Sequence, residues 1–272
     1  MRGRTKLVSL ATMLAVLLTV SMVFASGFVD VSTVSLFSEP PVGPDSPGPN
    51  EVFIDPNKII KDYLVDPGYQ IGNTFVVHIN VSSVTDLFSY QVNITWNTAM
   101  LNFTGIWAYG DFLARTGSAY GTSRIEDIYV ASNATGYASI AETILGDVAG
   151  ITGSGRLVTI EFQIVGYGWT DLFISSGGSL PTTLLDSAGA TITWNHQASL
   201  FGNDGYFSNR LGGDVDSDRD VDYSDFIVLA GAYGSVVGQP AYKRNADFDQ
   251  DGDVDYSDFI KLAGNYGKSV PP

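Results

Sequence analysis

Cysteine is missing from this 272-residue chain, and the other residues that usually carry reaction chemistry are scarce. Without cysteine there is no disulfide, no thiolate zinc site and no thiol nucleophile. Only His78 and His196 remain as histidines. Basic residues are also few: 14 Lys and Arg against 29 Asp and Glu leave a formal charge of −15. A surface that binds nucleic acid needs a basic footprint for phosphate, so that partner class is excluded. Long apolar runs are absent beyond the first 25 residues. The one run present, Leu7–Phe24, follows Arg2, Arg4 and Lys6 and ends at Val23-Phe24-Ala25. This order predicts a secretory signal peptide over 1–25, with an uncleaved anchor as the alternative, and hence an extracellular or cell-surface protein.

The acids that are present are concentrated. Asp214-Val-Asp-Ser-Asp-Arg-Asp-Val-Asp-Tyr-Ser-Asp225 returns 33 residues later as Asp247-Phe-Asp-Gln-Asp-Gly-Asp-Val-Asp-Tyr-Ser-Asp258. Over 214–234 and 247–267, 16 of 21 positions are identical. Carboxylates at alternate positions repel: at about 4 Å and an effective dielectric near 20 each pair costs roughly 4 kcal/mol. A cation among them removes that cost.

Oxygen ligands at loop positions 1, 3, 5, 7, 9 and 12 are the spacing of an EF-hand calcium loop. The first copy offers the side chains of Asp214, Asp216, Asp218, Asp222 and Asp225, with the backbone carbonyl of Asp220. The second offers Asp247, Asp249, Asp251, Asp255 and Asp258, with the carbonyl of Asp253. No Cys or His lies among them, which disfavours zinc and copper. Magnesium prefers a smaller shell that keeps several waters, so the expectation is two Ca2+ ions. Position 12 is Asp rather than Glu, so the following helix must approach closely. Position 6 favours glycine because the turn there is left-handed; it is Gly252 in one copy and Arg219 in the other. Loop one is therefore expected to bind more weakly, its left-handed side chain costing about 1–2 kcal/mol.

After each loop an apolar face recurs at helical spacing: Phe226, Leu229, Ala230, Tyr233, and then Phe259, Leu262, Ala263, Tyr266. Gly234 and Gly267 stand where helices stop. No amphipathic helix enters the first loop; Gly212-Gly213 stands there instead. A duplicated loop with only its exiting helix resembles a dockerin, and the resemblance covers about 212–268. It implies a small α module that plugs into a cohesin in calcium-dependent fashion. It also implies partner contacts at loop positions 10 and 11, here Tyr223-Ser224 and Tyr256-Ser257. Because both copies carry the same pair, binding in two orientations about a pseudo-twofold axis is implied.

Upstream, Pro40, Pro41, Pro44, Pro47 and Pro49 make 26–50 a stiff spacer. Between 51 and 208 the period changes to two. Phe75, Val77, Ile79 and Val81 share a face, as do Val92, Ile94 and Trp96, and Val158, Ile160, Phe162 and Ile164. Short alternating strands broken by Gly, Ser, Asn and Asp predict a mainly β fold, a jelly-roll β-sandwich. Gly72–Leu101, Gly155–Ile164 and Leu185–Ile192 resemble strands of a cohesin; carbohydrate-binding modules share such patterns. The resemblance implies a flat face that receives a dockerin, with Gln91, Asn93 and Thr95 pointing outward. The domain expectation is 1–25 leader, 26–50 spacer, 51–208 cohesin-like sandwich and 209–272 dockerin.

Sequons at Asn80, Asn93, Asn102 and Asn133 are glycosylation candidates. A glycan on Asn93 would cover the implied docking face, so Asn93 is expected to be unmodified. Glu161 has no second acid that the sequence places beside it, which leaves no glycosidase pair and predicts a non-enzyme. The expected role is a scaffoldin-like assembly adaptor with cohesin- or dockerin-bearing partners, a second copy head to tail included. The segment Asn209–Gly213 is too short for the dockerin to reach its own sandwich's far face, so pairing is expected between molecules. The alternative is a carbohydrate-binding sandwich docked onto a polysaccharide-degrading complex, with Trp107, Tyr109, Tyr120, Tyr129, Tyr167 and Trp169 as stacking candidates.

Overall fold

A computed structural model describes residues 47–113, 124–177, 181–196 and 202–271, apart from the side chains of 106 and 124–130. The leader, most of the Pro-rich spacer and Tyr120 lie outside the described residues, as does the side chain of Tyr129.

Among the described residues ten strands come first: β1 (Glu51–Asp55), β2 (Lys58–Ile60), β3 (Thr74–Thr95), β4 (Leu101–Tyr109), β5 (Arg124–Ser132), β6 (Tyr137–Ile144), β7 (Ile151–Ile164), β8 (Trp169–Ile174), β9 (Thr183–Asp186) and β10 (Gly205–Ser208). Two helices follow, α1 (Tyr223–Ala232) and α2 (Tyr256–Asn265). Alternation builds the strands: the apolar set of β3, Phe75, Val77, Ile79 and Val81, is buried while Val76 between them is exposed. On β7, Val158, Ile160, Phe162 and Ile164 are all fully buried.

The 22-residue β3 organises the sandwich. Its first half pairs antiparallel with β1 and β7; its second half pairs with β6, β9 and the end of β8. Between the halves the register to β7 slips around Val84, and Ser83 and Asp86 take left-handed backbone angles of 45° and 58°. This bend folds one hydrogen-bonded network over itself around a shared core. Two contacts cross that core. The Phe75 ring lies flat on Phe207 of β10 at 4.8 Å, and the Tyr90 hydroxyl donates to the Leu157 carbonyl at 2.7 Å.

β10 lies between β2 and β8 and runs straight into the acidic region. Its continuation, Asn209 to Leu211, is buried rather than a free tether. The C-terminal part has internal near-symmetry. Val221 of the first loop exchanges hydrogen bonds with the chain after α2 (Val221 N to Lys268 O, Gly267 N to Val221 O). Val254, 33 residues on, does the same with the chain after α1 (Val254 N to Ser235 O, Gly234 N to Val254 O). Each loop is thus braced by the exit of the other loop's helix.

Candidate functional site

Both acidic loops are wound around their own carboxylates. The first acid gathers N–H groups from its turn: Asp214 Oδ2 accepts from Arg219 N at 3.0 Å, and Asp247 Oδ2 from Gly252 N at 3.0 Å. The twelfth acid binds the start of the loop. Asp225 Oδ1 accepts from Val215 N and Asp258 Oδ1 from Phe248 N, both at 2.6 Å. Their other oxygens accept from Asp222 N and Asp255 N, completing capping boxes at α1 and α2. Aspartate at position 12 therefore doubles as the third residue of the helix, which draws the helix onto the loop. Arg219 is left-handed at φ 84°, matching Gly252 at 105°.

The carboxylates converge. One ligand oxygen from each of Asp214, Asp216 and Asp218 falls within 4.8 Å of the others, as it does for Asp220, Asp222 and Asp225, and for Asp247, Asp249 and Asp258. Asp220 joins its cluster through its carboxylate rather than only its carbonyl. Asp251, Asp253 and Asp255 do not join the second-loop cluster, although their backbone follows the same turn. Buried oxygens of Asp220, Asp249 and Asp253 have no hydrogen-bond partner among the described residues. Burial, reinforced by neighbouring acids, pushes the carboxyls of Asp247 and Asp253 up to about 6 and that of Asp258 up to about 7. Burial, with the Asp214 charge nearby, pushes Asp225 up to about 6 against the hydrogen bonds it accepts. Unpartnered hard oxygens set among carboxyls that resist ionising are what an oxygen-liganded divalent cation would satisfy, so the residues fit calcium.

The helices bury a narrower stripe than the sequence suggests. In α1 it is Asp225, Phe226, Leu229 and Ala232; Ala230 faces solvent. Tyr233 is exposed because the helix ends at Ala232 and Tyr233 already has an extended ψ of 133°. On the opposite faces, Tyr223 is 59% and Tyr256 62% exposed, with Ile227 and Ile260 exposed one turn further on. Ser224 is exposed; Ser257 is half-buried and donates to Asp249 and Asp255.

A polar junction joins this region to the sandwich. Arg210, 3% exposed, donates Nη1 to the carbonyls of Asp214 (3.0 Å), Val215 (3.3 Å) and Asn245 (3.1 Å). Lys58 Nζ reaches the Gln250 carbonyl at 2.6 Å, and Arg244 pairs with Asp171 of β8 while covering the Tyr206 ring.

On the sandwich, the residues expected to point outward part company. Gln91 and Thr95 are half-buried, but Asn93 is fully buried. Asn93 sits where the neighbour of β3 changes from β8 to β9: Ser175 N donates to its carbonyl, and its own N–H goes to Thr182 Oγ1. Its side-chain Nδ2 donates to the Pro181 carbonyl at 2.8 Å, a group that neither ladder serves. Asn93 therefore does not point outward as period two predicts; its side chain is buried and held by the Pro181 carbonyl. Asn80 and Asn102 are half-buried. Asn133 is exposed, yet its amide is paired both ways with the Phe103 backbone, at 2.7 and 2.9 Å.

The sandwich also has relatives. Residues 65–194 match the cohesin domain family. The match covers just under half of the chain. Cohesin domains are non-catalytic interaction modules that bind dockerin-bearing proteins. Solved structures of low identity are also similar to part of the chain. A type II cohesin domain from the cellulosome of Acetivibrio cellulolyticus is 12% identical, with a TM-score of 0.41 over 58% of this chain and 92% of its own. A type II cohesin–X–dockerin complex from the same organism gives 16% and 0.42, covering 59% and 99%. A non-cellulosomal cohesin from the archaeon Archaeoglobus fulgidus gives 11% and 0.40, covering 59% and 90%. No curated protein matches the chain.

Among the described residues, the aromatic side chains of the sandwich do not line up as a stacking strip. Trp107 and Tyr109 pack on each other at 4.6 Å, Trp169 lies on Tyr206, and Tyr167 is taken up at the junction. His78 bonds Thr159 on a strand surface, and His196 is enclosed by Asp204, Phe173 and Trp194. Arg210 and Asn209, which sequence reading treats as linker, are the junction residues it missed. Their partners lie elsewhere in the sequence, so no local pattern marks them.

Proposed function

We propose that the chain is a non-catalytic assembly adaptor. Its cohesin-type sandwich receives a dockerin from one partner. Its C-terminal module is itself a dockerin, held by two calcium ions, that plugs into a cohesin on another. A second copy of the chain qualifies for either role. The observation that carries the reading is the doubled loop and helix: converging carboxylates with unpartnered buried oxygens on one side, and Tyr223 and Tyr256 exposed alike on the other. Calcium would be structural here. It would offset the repulsion among Asp214–Asp225 and among Asp247–Asp258 and so hold each tyrosine on its capped helix start. The cohesin match supports the other half, with an extracellular, polysaccharide-related setting as its usual context.

The junction leaves both tyrosine faces free, which fits pairing between molecules rather than within one. The test is capture of immobilised cohesins and dockerins by the full chain, in calcium and in chelator. The expected result is dockerin capture by the sandwich and calcium-dependent cohesin capture by the C-terminal module. Absence of both, with a calcium-independent monomer by sedimentation at high concentration, would overturn the reading.

A further inference from the structure

The two loops are equivalent in sequence, but their first acids are steadied from different places. Asp247 Oδ2 accepts the hydroxyl of Tyr242 at 2.8 Å, from the segment just ahead of its own loop. Asp214 Oδ2 accepts an equivalent hydroxyl at 2.6 Å, but from Tyr167, in the turn between β7 and β8 of the sandwich. The residue 33 positions before Tyr242 is Asn209, which has no hydroxyl. Asn209 instead grips the turn that carries Tyr167: its Oδ1 accepts from Gly168 N at 3.0 Å and its Nδ2 donates to Gly166 O at 3.1 Å. Tyr167 is fixed further. Its oxygen accepts from Leu211 N at 2.8 Å, its ring meets Tyr63 edge-on, and the Arg219 guanidinium lies 4.9 Å over its face. Arg219 is the left-handed residue that distinguishes loop one.

We infer that the sandwich completes the first cation loop, with Tyr167 as the positioning residue that orients Asp214 and braces Arg219. The inference rests on the proposed cation-binding role of the loops. Loop two carries its own tyrosine; loop one is built only when the module is docked on the sandwich. Cation binding in loop one and docking of the two modules then strengthen one another by the same factor. An outer hydrogen-bond partner of a ligand is worth roughly 10- to 100-fold in metal affinity.

The experiment is calorimetric titration of calcium chloride into the decalcified full chain, with the amide resonances of Arg219 and Gly252 followed to report each loop separately. Tyr167→Phe keeps the ring under Arg219 and removes only the hydroxyl; unchanged sandwich amide resonances verify the fold. It should weaken the site reported by Arg219 roughly tenfold or more and leave the Gly252 site within twofold. Tyr242→Phe should do the reverse. Two wild-type sites with Tyr167→Phe unchanged, or with both sites weakened equally, would overturn the inference alone. A wild-type chain that binds no calcium would overturn the cation reading beneath it.

Discussion

Truncating Arg210 should release the C-terminal module from the sandwich and nearly unfold it. The guanidinium is buried and spans three carbonyls: Asp214 and Val215 at the start of loop one, and Asn245 just ahead of loop two. Its plane also lies 5.4 Å from the centre of the Phe248 ring. All three carbonyls are reached from Nη1, whose two protons supply two full charged hydrogen bonds at about 1.5–3 kcal/mol each, roughly 3–6 kcal/mol before compensation. Water can enter the neighbouring cleft lined by Asp62, Ser208, Gly212 and Lys261 and satisfy some of those carbonyls. A net loss of about 4 kcal/mol for Arg210→Ala follows, in the range for removing one partner of a buried charged contact.

A small module of this size has only about 3–5 kcal/mol from its own core, and saturating cation at a thousand times its dissociation constant adds about 4 kcal/mol per site. The variant should therefore lose its helical circular dichroism at low calcium and regain it at high calcium. With a urea dependence near 1 kcal/mol/M, the midpoint of the module should fall by about 4 M while the sandwich transition stays put. Arg210→Lys, a point donor in place of a planar fork, should recover less than half of the loss. A midpoint within about 0.5 M of wild type for Arg210→Ala would refute the view that this residue ties the modules together.

Tyr223→Ala and Tyr256→Ala singly should alter partner affinity little, because the repeated face offers a second orientation. Together they should weaken binding about 30-fold or more, with stability within about 0.5 kcal/mol of wild type; an equal loss from either single change would contradict the duplicated face. Gly110→Ala places a methyl 1.7 Å from the Arg156 carbonyl, so the sandwich should lose about 3 kcal/mol and melt roughly 6–12 °C lower. An unshifted thermal midpoint would show that the turn after β4 does not press on β7. In chelator, the raised carboxyls near 6 to 7 bind protons more tightly in the folded than in the unfolded chain, against an ordinary 3.8. The stability they contribute is present below about pH 4 and lost as pH rises through 6 to 7, so the metal-free module should resist urea better at pH 5 than at pH 7.5. Greater stability at pH 7.5 would contradict this.

The strands and loops were legible because their signals are local. Alternation on β3 and β7 names the buried faces, and the left-handed demand at position 6 shows through Gly252 and holds for Arg219. Asn93 was misplaced because period two puts it outward, whereas its burial comes from the β8-to-β9 handover and the carbonyl of Pro181, 88 residues away. Tyr233 fails for a related reason: helical spacing continues past the residue where the backbone stops being helical. The junction was invisible. Asn209 and Arg210 sit in what reads as a tether, and only folding brings Gly166, Gly168 and Asn245 against them.

If the doubled loops are a plug held in shape by calcium, native mass spectrometry of the full chain will count the ions directly. Two calcium ions per chain are expected, lost on chelation together with the helical signal and cohesin capture. One ion fewer is expected in each of Asp225→Asn and Asp258→Asn. A chain that takes up no calcium, and whose helices are equally stable with and without chelator, would contradict the calcium-held plug.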